Sequence, residues 1–257
     1  MFVDVPGAKL YACRGGPARG QAILAIGGWI GSSELWQEPL AILSADQVVV
    51  SYDHRGTGVS VTSRDSISFD DLIADALAVL DAHGIDRCVL AAESAGAQTA
   101  LAVAARHPQR VTHLVIVDGM YARGVSLDDD PFLEGLRANY AATIEHFVQL
   151  CVPESDSEHI KEWGRKLLAR ASPEAAIALR ILASQTDVSG DIARISQPTL
   201  VLHGSADRIV PLDRARELVE ALPDARWVVL EGAGHVPTLT QPAKVADAIR
   251  SFLRGGA

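Results

Sequence analysis

Short runs that are apolar at nearly every position alternate with longer stretches whose apolar residues recur at helical spacing. Residues 9–13 (KLYAC), 22–26 (AILAI), 47–52 (QVVVSY), 88–92 (CVLAA), 113–119 (HLVIVDG), 199–204 (TLVLHG) and 226–232 (RWVVLEG) read as strands. After the third run comes SFDDLIADALAVLDAHG, with Ser68 as N-cap and Asp70 and Asp71 in the first turn. Leu72, Ala76, Val79 and Leu80 share one face there, and Gly84 ends the helix. Further helices are predicted at 95–107, 214–221 and 242–253. Strands apolar throughout, with a helix between each, predict an α/β fold whose mostly parallel sheet carries helices on both faces. Right-handed crossovers then bring the strand C-termini to one edge, where such folds build their sites.

Residues 120–190 break this rhythm. They hold no convincing strand and read as helices at 131–150, 157–171 and 173–185, carrying Tyr121, Phe132, Tyr140, Phe147 and Trp163. The economical reading is a helical cap over the sheet edge, rather than a helical domain remote from it. The expected organisation is a core domain at 1–119 and 191–257, with a cap insertion at 120–190 after the sixth core strand.

Composition narrows the class. A chain of 257 residues, 48% hydrophobic and 21% charged, suits one α/β domain with an insertion. The net charge of −9 argues against a nucleic-acid partner, since phosphate binding needs a basic face. Cys13, Cys88 and Cys151 are odd in number and widely spaced, so neither a disulfide framework nor a zinc pattern is expected. Reduced thiols, and a start without a basic region and apolar core, lead to the expectation of a cytoplasmic protein. No apolar stretch approaches the roughly 18 residues of a membrane span. The expected partner is a small molecule; the pattern carries no signal of oligomeric state.

The segment AESAG, Ala92 to Gly96, is one residue away from the nucleophile elbow G-x-S-x-G. Small residues are needed there because strand and helix pass close together on either side of a strained serine. Taken alone, Ser94 is equally well an ordinary turn residue. A nucleophilic hydroxyl needs a base oriented by a carboxylate. GSADRIVP places Asp207 after one strand, and GAGHVPTLTQP places His235 after the next. Read separately, Asp207 is a helix cap and His235 a loop histidine; together with Ser94 they follow the order Ser, Asp, His, each after a strand. Acyl transfer also needs donors for an oxyanion, and the backbone N–H groups of Trp29, in AIGGWIGSS, and of Ala95 are the candidates.

With GGWIGSS, YDHRGTGVS, AESAG, GSADRIVP and GAGHVPTLTQP in view, the chain resembles the α/β-hydrolase fold superfamily, in its capped, single-domain serine esterase form. The resemblance covers nearly the whole chain. It departs at Ala92, where the elbow has glycine, and at Gly27, where the family has the histidine of a His-Gly pair. It implies that Asp53, Arg55 and Gly56 are structural, and that Asp118, at the end of the strand after the nucleophile helix, is the alternative to Asp207 as the triad acid. Glu93 is either a carboxylate supporting the site or a buried, hydrogen-bonded polar residue. His54, His83, His107 and His203 read as surface or strand-end residues.

No clustered Asp/Glu/His set, dinucleotide fingerprint or Walker lysine is visible, so neither a metal nor a cofactor is expected. The expected activity is hydrolysis of a carboxylic ester, or a related acyl bond, of a small, mainly apolar molecule through an acyl-enzyme. The expected pocket residues are Trp29, Tyr121, Phe132, Tyr140 and Trp163. A lactonase, a thioesterase or a carbon–carbon bond hydrolase would use the same triad; a triad-bearing ligand sensor is the alternative from another class.

Overall fold

The structure, a computed structural model, describes residues 1–63, 67–122 and 126–255. Its elements in chain order are β1 (Phe2–Val5), β2 (Ala8–Gly15), β3 (Ala22–Ile26), α1 (Gln37–Leu43), β4 (Val48–Tyr52), β5 (Val61–Thr62), α2 (Phe69–Ala82), β6 (Cys88–Glu93), α3 (Gly96–Arg106) and β7 (Val111–Val117). There follow α4 (Pro131–Ala138), α5 (Tyr140–Cys151), α6 (Glu158–Leu168), α7 (Pro173–Gln185), α8 (Ser189–Ile192), β8 (Thr199–Gly204), α9 (Leu212–Ala221), β9 (Ala225–Leu230), α10 (Pro237–Thr240) and α11 (Pro242–Leu253).

The strands form one sheet in the order β1-β2-β4-β3-β6-β7-β8-β9, with β5 pairing β2. From β4 to β9 every pairing is parallel; β1 and β2 run antiparallel at one end. β3, β4, β6 and β8 are buried along their whole length, as all-apolar runs require when both faces are covered. Alternate residues feed opposite cores. Leu24, Leu90 and Ile116 pack with Ala76, Val79 and Leu80 of α2 and the alanines of α3. Ile23, Val89 and Val115 pack with Leu40 and Leu43 of α1 and Val245 and Ile249 of α11. The second core continues into the inserted helices through Val148, Leu167 and Leu179.

Those helices lie between β7 and β8. β7 is the sixth strand in chain order once the two-residue β5 is set aside. The helix expected at 131–150 is two helices. Asn139 leaves helical geometry (φ −154°, ψ 83°) and its side chain accepts the Ala142 N–H, capping α5. β1 and β5 had no counterpart among the expected strands. Both are short, and both lie outside the buried parallel part of the sheet. Among the described residues no helix is long and apolar enough to cross a membrane.

Candidate active site

The turn from β6 to α3 is built by close contacts. Ser94 has a left-handed backbone, φ +49°, a conformation that costs a non-glycine residue about 1–3 kcal/mol unless its surroundings impose it. Here they do: the Ser94 N–H donates to the Val117 carbonyl, and the Ser94 carbonyl accepts from Met120, both at 3.0 Å. A Cβ on Gly96 would stand 2.4 Å from the Gly27 carbonyl oxygen, so α3 can begin there only with glycine. A Cβ on Gly28 would touch that of Ser94 at 3.0 Å. Ala92 lies inside β6, paired with Ile26 and Ile116, and its methyl group is fully buried.

Three loops at the C-terminal edge of the sheet meet over this turn. The Ser94 hydroxyl lies 2.9 Å from His235 Nε2, and His235 Nδ1 lies 2.8 Å from Asp207 Oδ2. Asp207 is fixed in turn by its other oxygen, which accepts the Ile209 and Val210 N–H groups at 2.7 and 3.0 Å. Burial alone would lower the pKa of the His235 imidazole, but the charge and hydrogen bond of Asp207, with Glu93 nearby, hold it above the ordinary 6.5. Burial would raise Asp207; His235 and the two backbone donors hold it below the usual carboxylate range.

The Trp29 and Ala95 N–H groups meet no protein acceptor among the described residues. Both residues flank the wall where Gly28 meets Ser94. The Trp29 indole is held from above, its Nε1–H donating to the Ala176 carbonyl at 2.8 Å and its rings packed edge-on to Phe132 and Phe147. An apolar cavity opens on Ser94 and His235. Trp29, Leu35, Phe147, Leu167 and Leu239 line it, and no lysine or arginine is among its described lining residues.

The other expected site residues stand elsewhere. Asp118 is fully buried with φ +46°, and its Oδ1 accepts the Gly204 N–H at 2.8 Å. It therefore sits behind Asp207, and its hydrogen bond goes to strand β8. Burial and the neighbouring Asp207 push its carboxyl well above the usual range. Of the five expected pocket residues, Trp29 lines the cavity. Phe132 lies behind Trp29 and stacks under Arg180. The Tyr121 hydroxyl donates to Glu217 over a separate cleft, and Trp163 lines an outer groove with Glu34 and His159. Tyr140 packs among the apolar side chains of the inserted helices. Helical spacing assigns Phe132, Tyr140 and Trp163 to faces of helices without saying which face looks at Ser94.

Glu93 is buried beneath the turn, where it accepts the Thr238 hydroxyl at 2.9 Å. Burial pushes its pKa up to about 7 against that bond, the His235 charge and the Gly28 N–H. His203 stands at the end of β8, as expected, and is fully buried; His54, two residues past the end of β4, is buried as well. His54 Nε2 lies 2.9 Å from the Gly28 carbonyl, and burial lowers its imidazole pKa below the ordinary range; the ring supports the loop that carries Trp29. The signal for it was Gly27. A Cβ there would lie 2.6 Å from the Gly31 carbonyl oxygen, so this turn excludes the family's histidine and support comes from DHRG instead. Asp118, His203 and Asp207 do form a cluster, with one ligand-type atom from each within 4.8 Å of the others. This grouping is tertiary, and the linear spacing of the three residues hides it.

Residues 18–239 match the family model described as serine aminopeptidase, S33. The chain belongs to this family of α/β hydrolases. It is 30% identical to "Putative carbamate hydrolase RutD" of Pseudomonas savastanoi pv. phaseolicola, over 87% of this chain and 90% of that one. It is 28% identical to the pimeloyl-[acyl-carrier protein] methyl ester esterase of Nitrosomonas europaea, over 87% and 92%. Among solved structures, the enol-lactonase from Burkholderia xenovorans LB400 superposes with a TM-score of 0.91 at 23% identity, over 99% and 100% of the two chains. At that identity the likeness speaks for the fold.

Proposed function

We propose that this α/β hydrolase cleaves a carboxylic ester, or a related acyl bond, of a small, uncharged, mainly apolar molecule through an acyl-enzyme on Ser94. One observation carries this reading: a hydroxyl, an imidazole and a carboxylate in an unbroken hydrogen-bonded line, opening on an apolar cavity. In the forward step His235 Nε2 takes the Ser94 proton as Oγ attacks the acyl carbon. Asp207 holds the Nδ1–H tautomer and stabilises the imidazolium. The Trp29 and Ala95 N–H groups donate to the oxyanion, each worth about 3–4 kcal/mol of barrier in comparable sites. His235 returns the proton to the leaving oxygen, then activates a water that releases the acid and restores Ser94.

The relatives named for a carbamate, a methyl ester and an enol-lactone all act, by those names, on carbonyl carbons bearing a heteroatom, which supports this reaction class. The lining supports an uncharged substrate: with no lysine or arginine among its described residues and with Glu93 beneath, a carboxylate on the substrate would lack a side-chain partner of that kind.

The test compares wild type and Ser94→Ala on p-nitrophenyl esters, a lactone and a thioester, with a serine-directed phosphonate as label. Wild type should turn over repeatedly and label at Ser94. Ser94→Ala should lose about 10⁴-fold or more in kcat. Equal ester turnover by Ser94→Ala would remove the nucleophile from the reading; a single burst without further turnover would favour the ligand-sensor alternative.

A further inference from the structure

The His235 loop is gripped from two sides. Below, it lies on the end of β8: the Ala206 N–H donates to the Ala233 carbonyl at 2.9 Å. A Cβ on Gly204 would stand 2.2 Å from the Gly234 carbonyl oxygen, so that contact tolerates nothing larger than glycine. Above, the loop is held by the corner between α5 and α6. The His235 N–H donates to the Cys151 carbonyl at 2.8 Å, and the Gly234 N–H donates to Glu154 Oε1 at 2.8 Å. A Cβ on Gly234 would lie 2.3 Å from Pro153 Cδ and 2.4 Å from the Cys151 oxygen. The second glycine of GAGH is therefore the mark of a close approach by the inserted helices, which the linear motif does not disclose.

The consequence lies in where the two backbone donors point. The N–H groups of Gly234 and His235 both go to the α5–α6 corner, so that corner sets the height of the His235 Cα, and with it the reach of the imidazole to Ser94. We propose that Glu154 is a positioning residue for the catalytic base: its carboxylate ties the Gly234–His235 backbone to the α5–α6 corner, so that His235 is aligned with Ser94 only while that corner is seated. This rests on the reading of Ser94, His235 and Asp207 as the catalytic relay. Any motion that lifts the corner to admit substrate breaks both bonds and loosens the base; reseating it restores them. Closure and catalytic competence become one event, with Glu154 supplying the side-chain half of the link and the Cys151 carbonyl the backbone half.

The experiment uses the full chain with Glu154→Ala and Glu154→Gln, and Ser94→Ala as control. A displacement of the base by about 1 Å costs on the order of 10²-fold in rate. Glu154→Ala should accordingly lose about 10- to 100-fold in kcat with KM changed less than about twofold, and phosphonate labelling of Ser94 should slow in parallel. Glu154→Gln keeps an acceptor for the Gly234 N–H and should restore most of the rate. The downfield proton resonance of the His235 Nδ1–H should broaden in Glu154→Ala alone. A purely structural role would lower Tm and leave kcat of the folded fraction and that resonance unchanged, which would overturn the proposal. So would Glu154→Gln falling as far as Glu154→Ala. Should Glu154→Ala fail to fold, amide exchange in the wild type decides: the Gly234 and His235 amides should exchange together with the last turn of α5, and independent, faster exchange would overturn the link. If Ser94→Ala is inactive and Glu154→Ala is as fast as wild type, the positioning role fails while the nucleophile stands; if Ser94→Ala stays active, the catalytic reading itself fails.

Discussion

The β6–α3 turn and the helices above it face each other across one cavity, yet they obey different rules. At the turn, each residue type is dictated by a neighbour a few ångströms away. Gly96 has no room for a Cβ beside the Gly27 carbonyl, Gly28 touches Ser94, and α3 is packed so closely that Gly96 and Ala97 through Ala104 are all buried. In the inserted helices the same class of residue meets several fates. Phe147 lines the cavity, Phe132 braces Trp29 from behind, and Trp163 lies on an outer groove. A steric demand leaves a signature in the few residues around it; a choice of helix face is made by packing against segments far away in the chain.

The sharpest way to break this contrast is to exchange the two buried acids. Asp207→Asn should lower kcat by about 10³- to 10⁴-fold, because the imidazole loses the partner that fixes its tautomer. Asp118→Asn should cost less than about tenfold, since burial beside Asp207 raises that carboxyl well above its usual range and an amide oxygen can still accept the Gly204 N–H. Steady-state kinetics on one activated ester read both, and the reverse order would move the acid to Asp118.

A smaller effect tests the charge beneath the turn. Activity requires neutral His235, whose pKa is held above 6.5, so kcat/KM should climb with pH through a limb above that value. Glu93 helps hold the proton on the ring. Removing its charge with Glu93→Gln lowers the imidazole pKa, so the limb should move to lower pH. A pH–rate profile with an unmoved limb would show that Glu93 does not act electrostatically on the base.

The smallest effects sharpen the contrast within the helices. Phe147→Ala removes an aromatic ring from the cavity lining; losing apolar contact equivalent to about one buried methylene, about 0.8 kcal/mol, predicts about a fourfold rise in KM for an apolar ester. Trp163→Ala should leave KM within about twofold. Equal responses from the two variants would mean that the cavity lining is wrongly drawn.

The central strands were legible because burial on both faces forces an unbroken apolar run, and such a run has few other uses in a chain. β8 begins and ends where its pattern does. The N-cap of α2 was legible too, and Ser68 does accept the Asp71 N–H. β1 and β5 were missed because an exposed or two-residue strand carries no such run, and the break at Asn139 was missed because one capping side chain interrupts a periodicity that otherwise continues. In the site, the order Ser94, Asp207, His235 was readable because each follows a strand that ends at the same edge. His54 was readable only indirectly: Gly27 signalled that the loop lacks its family support, but nothing in DHRG announces that its histidine lies against the Gly28 carbonyl.

What the amino-acid sequence determined by itself was the alternation of strand and helix, the place of the sharp turn, and the residue types brought to one edge. These follow from local sterics, burial and connection handedness, which act over a few residues at a time. What only the tertiary structure decided was that Asp207 and not Asp118 hydrogen-bonds His235, which aromatic faces the cavity, and that Glu154 reaches the backbone of the base loop. Those outcomes depend on contacts between separate segments, 28 residues apart for Asp207 and His235 and 80 apart for Glu154 and Gly234, and no pattern within either segment encodes the other's position.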